Sequence, residues 1–117
     1  MSASTHPNLP IKYGWTLAES GWNTDMDANL TMLATLTGLA VKDRDLTAPP
    51  GSPTAGDRYS VAAGATGAWA GHDGHVAVWI NAAWTFYTPK VGLSALIEDE
   101  SVLSIFKASG WSAGLAI

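Results

Sequence analysis

The sequence contains no cysteine. No disulfide framework closes its core, and no thiolate is available as a nucleophile or metal ligand. Charge is also scarce: Asp, Glu, Lys and Arg make up 14% of the 117 residues, well below the usual quarter. The net charge of −4 leaves no basic face for neutralising phosphates, which argues against nucleic-acid binding. No apolar run approaches the roughly 18 residues of a membrane span, so no membrane association is expected. The opening MSASTHPNLP lacks the basic start and apolar stretch of a secretory signal. The expectation is a protein made in the cytoplasm and released by lysis if it leaves at all. A small chain with so little surface charge is expected to hide part of its surface against partners, as a subunit of a larger assembly does.

The richest stretch is Thr47 to Gly92, with three of the six tryptophans and four of the six prolines. It reads as strand, glycine turn, strand, tight turn, strand. Asp57 to Ala63 has Tyr59 and Val61 at period two. His75 to Ile80 and Ala83 to Thr88 are rich in the aromatic and branched residues that suit a pleated surface. Asn81-Ala82 between them has hairpin length, although the favoured second residue is Gly. Two more strands follow, Leu93 to Ile97 and Val102 to Lys107, joined by the acidic turn Glu98-Asp99-Glu100-Ser101. Val78 to Trp84 is echoed by Ile105 to Trp111: an aliphatic and an aromatic residue lead into a small-residue turn that closes on Trp. The hairpins of a small antiparallel, sandwich-like β-meander are expected to contribute Trp69, Trp79, Trp84 and Trp111 to one shared aromatic layer. Each such ring buries on the order of 150–250 Å².

Ahead of this module lie three simpler segments. Met1 to Pro10 reads as a tail. Ile11 to Gly21 reads as an extended arm on which Ile11, Tyr13, Trp15 and Leu17 alternate with polar or small residues. Trp15 and Trp22 are expected to dock the arm on the helix that follows. Asn23 or Thr24 suits its N-cap, Asp27 completes a near capping box, and Gly38 stops it. Met26, Asn29, Leu30, Leu33 and Leu36 form a wide seam with one polar residue in it, a device that fixes register and strand number between helices. Self-association through this seam is expected. Val41 to Leu46 is charged and alternating, and Pro49, Pro50 and Pro53 stiffen the segment after it. The resulting division is 1–22 tail and arm, 23–47 assembly helix and connector, and 48–117 β module, mainly β with one N-terminal α-helix.

The chemistry-bearing residues are few. His72-Asp73-Gly74-His75 brings two imidazoles and a carboxylate together, but no further His, Cys or acid is placed to complete a four-ligand site. No metal is expected there, and a histidine in such a loop more often bonds a carbonyl. Glu98, Asp99 and Glu100 are adjacent rather than opposed across a cleft, as paired-carboxylate hydrolysis requires. There is no nucleophile elbow and no phosphate-binding glycine loop. The expectation is a protein that is not an enzyme and holds no cofactor. Coplanar tryptophans on one face would instead make a sugar-stacking platform, and a glycan-binding module is the alternative reading.

Pro49-Pro50, Gly56-Asp57-Arg58-Tyr59, Gly67-Ala68-Trp69-Ala70-Gly71-His72, Val78-Trp79 and Trp84-Thr85-Phe86, followed by Pro89 and Gly92, resemble the hallmarks of the DUF2793 family of bacteriophage and gene-transfer-agent structural proteins. The upstream spacing of tryptophans, Asn29 and leucines resembles helices near the start of phage fibre and spike proteins. The resemblance spans roughly residues 13 to 111. Asn81-Ala82-Ala83 departs from the family's Gly-rich turn, and Val91-Gly92-Leu93 stands where a Gly-Trp pair is common. The resemblance implies a virion component: a fibre, spike or adaptor subunit, commonly a homotrimer, meeting other capsid, baseplate or fibre proteins. It supplies no catalytic motif.

Overall fold

The computed structural model describes residues 4–16 and 20–116. The protein is mainly β with a single helix near its N-terminus, and it divides into two compact units, Met1–Thr37 and Gly38–Ile117. The connector from Gly38 to Thr47 therefore belongs with the β strands, ten residues earlier than the proline-rich boundary expected from composition.

In the first unit, β1 (Ser4–Thr5) pairs antiparallel with β2 (Lys12–Tyr13), so the segment that reads as a tail contributes half of a small hairpin. The His6 amide donates to the Ile11 carbonyl at 2.8 Å and closes it. Of the alternating arm, Leu17 lies outside the described residues. Helix α1 runs from Trp22 to Leu36 and begins from Gly21, whose φ of 87° is left-handed. No side chain caps it, so the Thr24–Asp27 box is not formed; both residues are already inside the helix. Gly21 reaches its φ at little cost, and that sets the start earlier than the polar cap residues suggested. At the other end the Thr37 amide donates to the Leu33 carbonyl, and Gly38 at φ 59° turns the chain away as expected.

The second unit contains β3 (Ala40–Val41), β4 (Arg58–Ser60), a turn of 3₁₀ helix (Gly67–Trp69), β5 (Val76–Ile80), β6 (Ala83–Tyr87), β7 (Ser94–Ile97), β8 (Val102–Lys107), β9 (Gly110–Trp111) and β10 (Leu115–Ala116). One sheet has the order β4-β5-β6, all antiparallel. The other has the order β10-β8-β7-β3, with β9 also on β8, and is mixed because β3 runs parallel to β7. The expected meander thus gains a parallel pair. It arises from the charged connector. Val41 is fully buried in one sheet, and the next residues run beside β4 of the other. There the Lys42 amide donates to the Arg58 carbonyl (2.8 Å), the Ser60 amide to Asp43 (3.1 Å) and the Ala62 amide to Leu46 (3.0 Å).

The internal echo corresponds to real geometry. In each hairpin a two-residue turn is flanked by a cross-strand aromatic pair: Trp79 opposite Trp84 and Phe106 opposite Trp111. The ring centroids are 5.2 Å apart in both, in edge-to-face attitudes of 65° and 74°. Asn81 (φ 54°) and Ala82 (φ 59°) both sit in the left-handed region that a type I′ turn requires. Asn tolerates that conformation; Ala does not, by about 1 kcal/mol. Ala82→Gly is therefore expected to raise stability by roughly 0.5–1 kcal/mol, visible as a higher thermal midpoint with an unchanged fold.

Candidate functional site

The expected seam residues divide between two faces of α1. Asn29 (4% exposed) and Leu36 are buried, along with Met32 and Thr35, whereas Leu30 (56%) and Leu33 (40%) are exposed. Met26 is half-buried. Trp22, at the first position of the helix, is 52% exposed. Trp22, Met26, Leu30 and Leu33 follow steps of four, four and three, which places them along one side of the helix. The helix thus presents a second apolar stripe, next to the buried one, that meets solvent.

Asn29 does something the sequence reading did not assign to it. Its Oδ1 accepts from the Lys12 amide at 2.9 Å, and its Nδ2 donates to the Lys12 carbonyl at 2.8 Å. One side-chain amide satisfies both backbone groups of a residue in β2, as a neighbouring strand would. The arm is tied to the helix through this contact, while Trp15 is only half-buried and Trp22 faces largely outward. Asn29→Ala leaves a buried-side donor and acceptor on Lys12 unpaired, a cost of about 1–3 kcal/mol confined to the first unit. The expected result is rapid hydrogen exchange at the Lys12 amide, with the protection of β5 unchanged.

The aromatic residues form two groups rather than one layer. Trp69 is fully buried and packs with Tyr59, Val61 and Ala77. Its ring centroid is 5.6 Å from Tyr59 and 5.3 Å from Trp84, and Trp84 in turn meets Trp79. Trp111 pairs with Phe106 in the other sheet. The small side chain of Ala77, directly opposite Phe86 in the β5–β6 pair, belongs to the same cluster. Both sides of β5 are consequently buried at Val76, Ala77 and Val78. The Trp69–Trp84 and Trp79–Trp84 planes meet at 79° and 65°. These rings are edge-on to one another, not the coplanar set on which a sugar stacks.

Polar contacts fix the loops around this core. Arg44, read from sequence as one charge in a charged run, grips Glu100 through two hydrogen bonds of 2.8 and 2.7 Å. Its Nη1 and Nη2 also donate to the carbonyls of Ser112 and Ala113, each at 2.8 Å. One planar guanidinium thereby joins the connector, the acidic turn and the segment before β10. The Arg44 hydrogen bond holds the Glu100 carboxyl below its ordinary range. Nearby, Asp43, Asp45 and Asp99 bring carboxylate oxygens within 4.8 Å of one another. Burial, then Asp43 and Glu100, push Asp99 above the ordinary aspartate value, so that its ionised form is disfavoured in the fold. Asp73 is used differently: its two oxygens accept the amides of Gly64 and Ala65 at 3.0 Å each, which lowers its pKa. That contribution is present above the ordinary Asp value and is lost as pH falls through the lowered one.

His72 and His75 meet at the same loop, with Nδ1 atoms 3.1 Å apart. His72 lies flat on Phe86, centroids 3.6 Å apart and planes within 2°. Burial, followed by the proximity of His72, pushes His75 below the ordinary histidine value.

These features define a small aromatic-cored β module with one helix whose outer stripe is open to solvent. No helix among the described residues is long and apolar enough to cross a membrane. The chain belongs to the DUF2793 family, described as proteins of unknown function, whose profile matches residues 26–112. No curated protein gives a significant match.

Proposed function

We propose that the protein is a non-enzymatic structural component of a phage virion: a homotrimeric fibre, spike or adaptor subunit of tail or capsid. The observation that carries self-assembly is the solvent-facing stripe of Trp22, Met26, Leu30 and Leu33 on α1. Large apolar side chains aligned along one helix side lose contact with water when two or three such helices pack, at about 25 cal/mol per Å² removed. The virion assignment rests on the resemblance of the Pro49–Gly92 hallmarks to phage and gene-transfer-agent structural proteins. In this reading the helix joins copies, and the β module, clamped by Trp69 and Arg44, is the stable body of each copy. Its partners are copies of itself and neighbouring capsid, baseplate or fibre proteins. Its location is the virion, after synthesis in the host cytoplasm.

Glycan recognition has less support, because the ring planes of Trp69 and Trp79 each cross that of Trp84 at a steep angle. The assignment is tested by mass spectrometry of gradient-purified particles from a lysing culture that carries the gene. Recovery of this chain in fixed proportion to the major capsid protein is expected. Its absence from particles, with the chain abundant in the lysate, would overturn the proposal.

A further inference from the structure

Two of the chain's three histidines are held with their ring nitrogens facing each other, and the fold does more than their sequence spacing requires to keep them so. His72 is stacked on Phe86 of β6. The His72 amide donates to the Trp69 carbonyl at 3.0 Å, and the His75 amide to the His72 carbonyl at 3.0 Å. The Gly74 amide donates to Val61 at 2.8 Å, and the Val61 amide to the His75 carbonyl at 2.9 Å. Asp73, between the two histidines, is occupied by Gly64 and Ala65. Both imidazoles are therefore set on a fixed backbone, next to a carboxylate that supplies charge without competing for their nitrogens.

Two neutral rings with Nδ1 atoms 3.1 Å apart share one hydrogen bond. One ring carries its proton on Nδ1 and donates; the other has a bare Nδ1 and carries its proton on Nε2. A metal ion held by the same two atoms needs nearly the same separation, with the rings turned so that both Nδ1 lone pairs point at the ion. Two metal–nitrogen bonds of about 2.0–2.1 Å, at an angle of about 100°, separate the nitrogens by about 3.1 Å. Imidazole nitrogens suit Cu²⁺ and Ni²⁺, whose square-planar or octahedral centres leave the remaining positions to water.

We propose that His72 and His75 form an open two-imidazole chelate for Cu²⁺ or Ni²⁺, ligating through both Nδ1 atoms with water in the remaining positions. The expectation of no metal rested on the absence of four protein ligands, a requirement of closed structural sites and not of an exchangeable one. Binding requires the donating ring to change tautomer, so that both protons sit on Nε2. No net proton is released where both rings are neutral, and affinity falls as either becomes protonated.

Titration calorimetry of the full chain with NiCl₂ should give one ion per chain. His72→Phe and His75→Gln should each weaken binding at least tenfold, and His6→Gln should leave it unchanged. Electron paramagnetic resonance of the native chain loaded with one Cu²⁺ should show coupling to two equatorial nitrogens, a readout independent of whether either variant folds. Binding that survives in the His72→Phe/His75→Gln double variant, binding removed by His6→Gln, or a Cu²⁺ spectrum without two nitrogens would overturn the proposal.

Discussion

Trp69→Ala is expected to unfold the β module at ordinary temperature or bring it close to unfolding. The indole is fully buried, and it sits where Tyr59, Val61, Ala77 and Trp84 converge. Removing a large aromatic from such a position costs about 3–5 kcal/mol, against a whole-domain stability of about 5–15 kcal/mol. Ala77 cannot fill the space, and the rings of Tyr59 and Trp84 are held by their own strands. Trp69→Phe should be much milder. It keeps most of the ring and removes the buried Nε1, which has no hydrogen-bond partner, so the lost volume is partly offset by the lost desolvation cost. Urea midpoints for the two variants check this, with near-UV circular dichroism reporting the aromatic packing. Equal midpoints would mean that the cluster does not depend on filling that space.

Leu33→Asp is expected to change the state of association and leave the fold alone. Leu33 is 40% exposed in the single chain, so in a monomer the substitution should cost about 1–2 kcal/mol, from the covered part of the side chain and from a carboxylate in the last helical turn, and leave the fold in place. In a trimer joined by the α1 stripe it places three carboxylates in one apolar contact, where burying an unpaired charge is prohibitive. The account predicts a threefold drop in mass by light scattering, with the β-rich circular dichroism spectrum retained. A mass that matches the native chain's in any state would remove the helix stripe from the interface.

Most of the strand content was legible in the sequence because the hairpins carry their own local signals. Alternation and a two-residue turn place β5 and β6, and the Trp-closed echo places β8 and β9 in an equivalent pairing. The bounds of α1 were less legible, since Gly21 starts the helix through backbone conformation alone, whereas Thr24 and Asp27 only look like a cap. The parallel β3–β7 pair was hidden for another reason. Ala40–Val41 is too short to show a period, and its partner lies more than fifty residues away, so only tertiary pairing defines it. Asn29 misled because polar residues in helical seams and polar residues that dock a neighbouring strand look alike in sequence. What separates them is the position of Lys12, seventeen residues earlier. Arg44 shows the same limit: a lone arginine among aspartates reads as solvated charge until Glu100 and the carbonyls of Ser112 and Ala113 come within 2.8 Å of it. Which tryptophans meet one another depends on which strands pair, and that is not legible in the sequence.

The central claim is that copies of this chain join through the outer stripe of α1. The measurement that tests it most directly is the mass of the purified native chain, by light scattering on a sizing column across a tenfold range of concentration. The account predicts three times the 12.2 kDa chain mass at every loading. A single 12.2 kDa species throughout would contradict it.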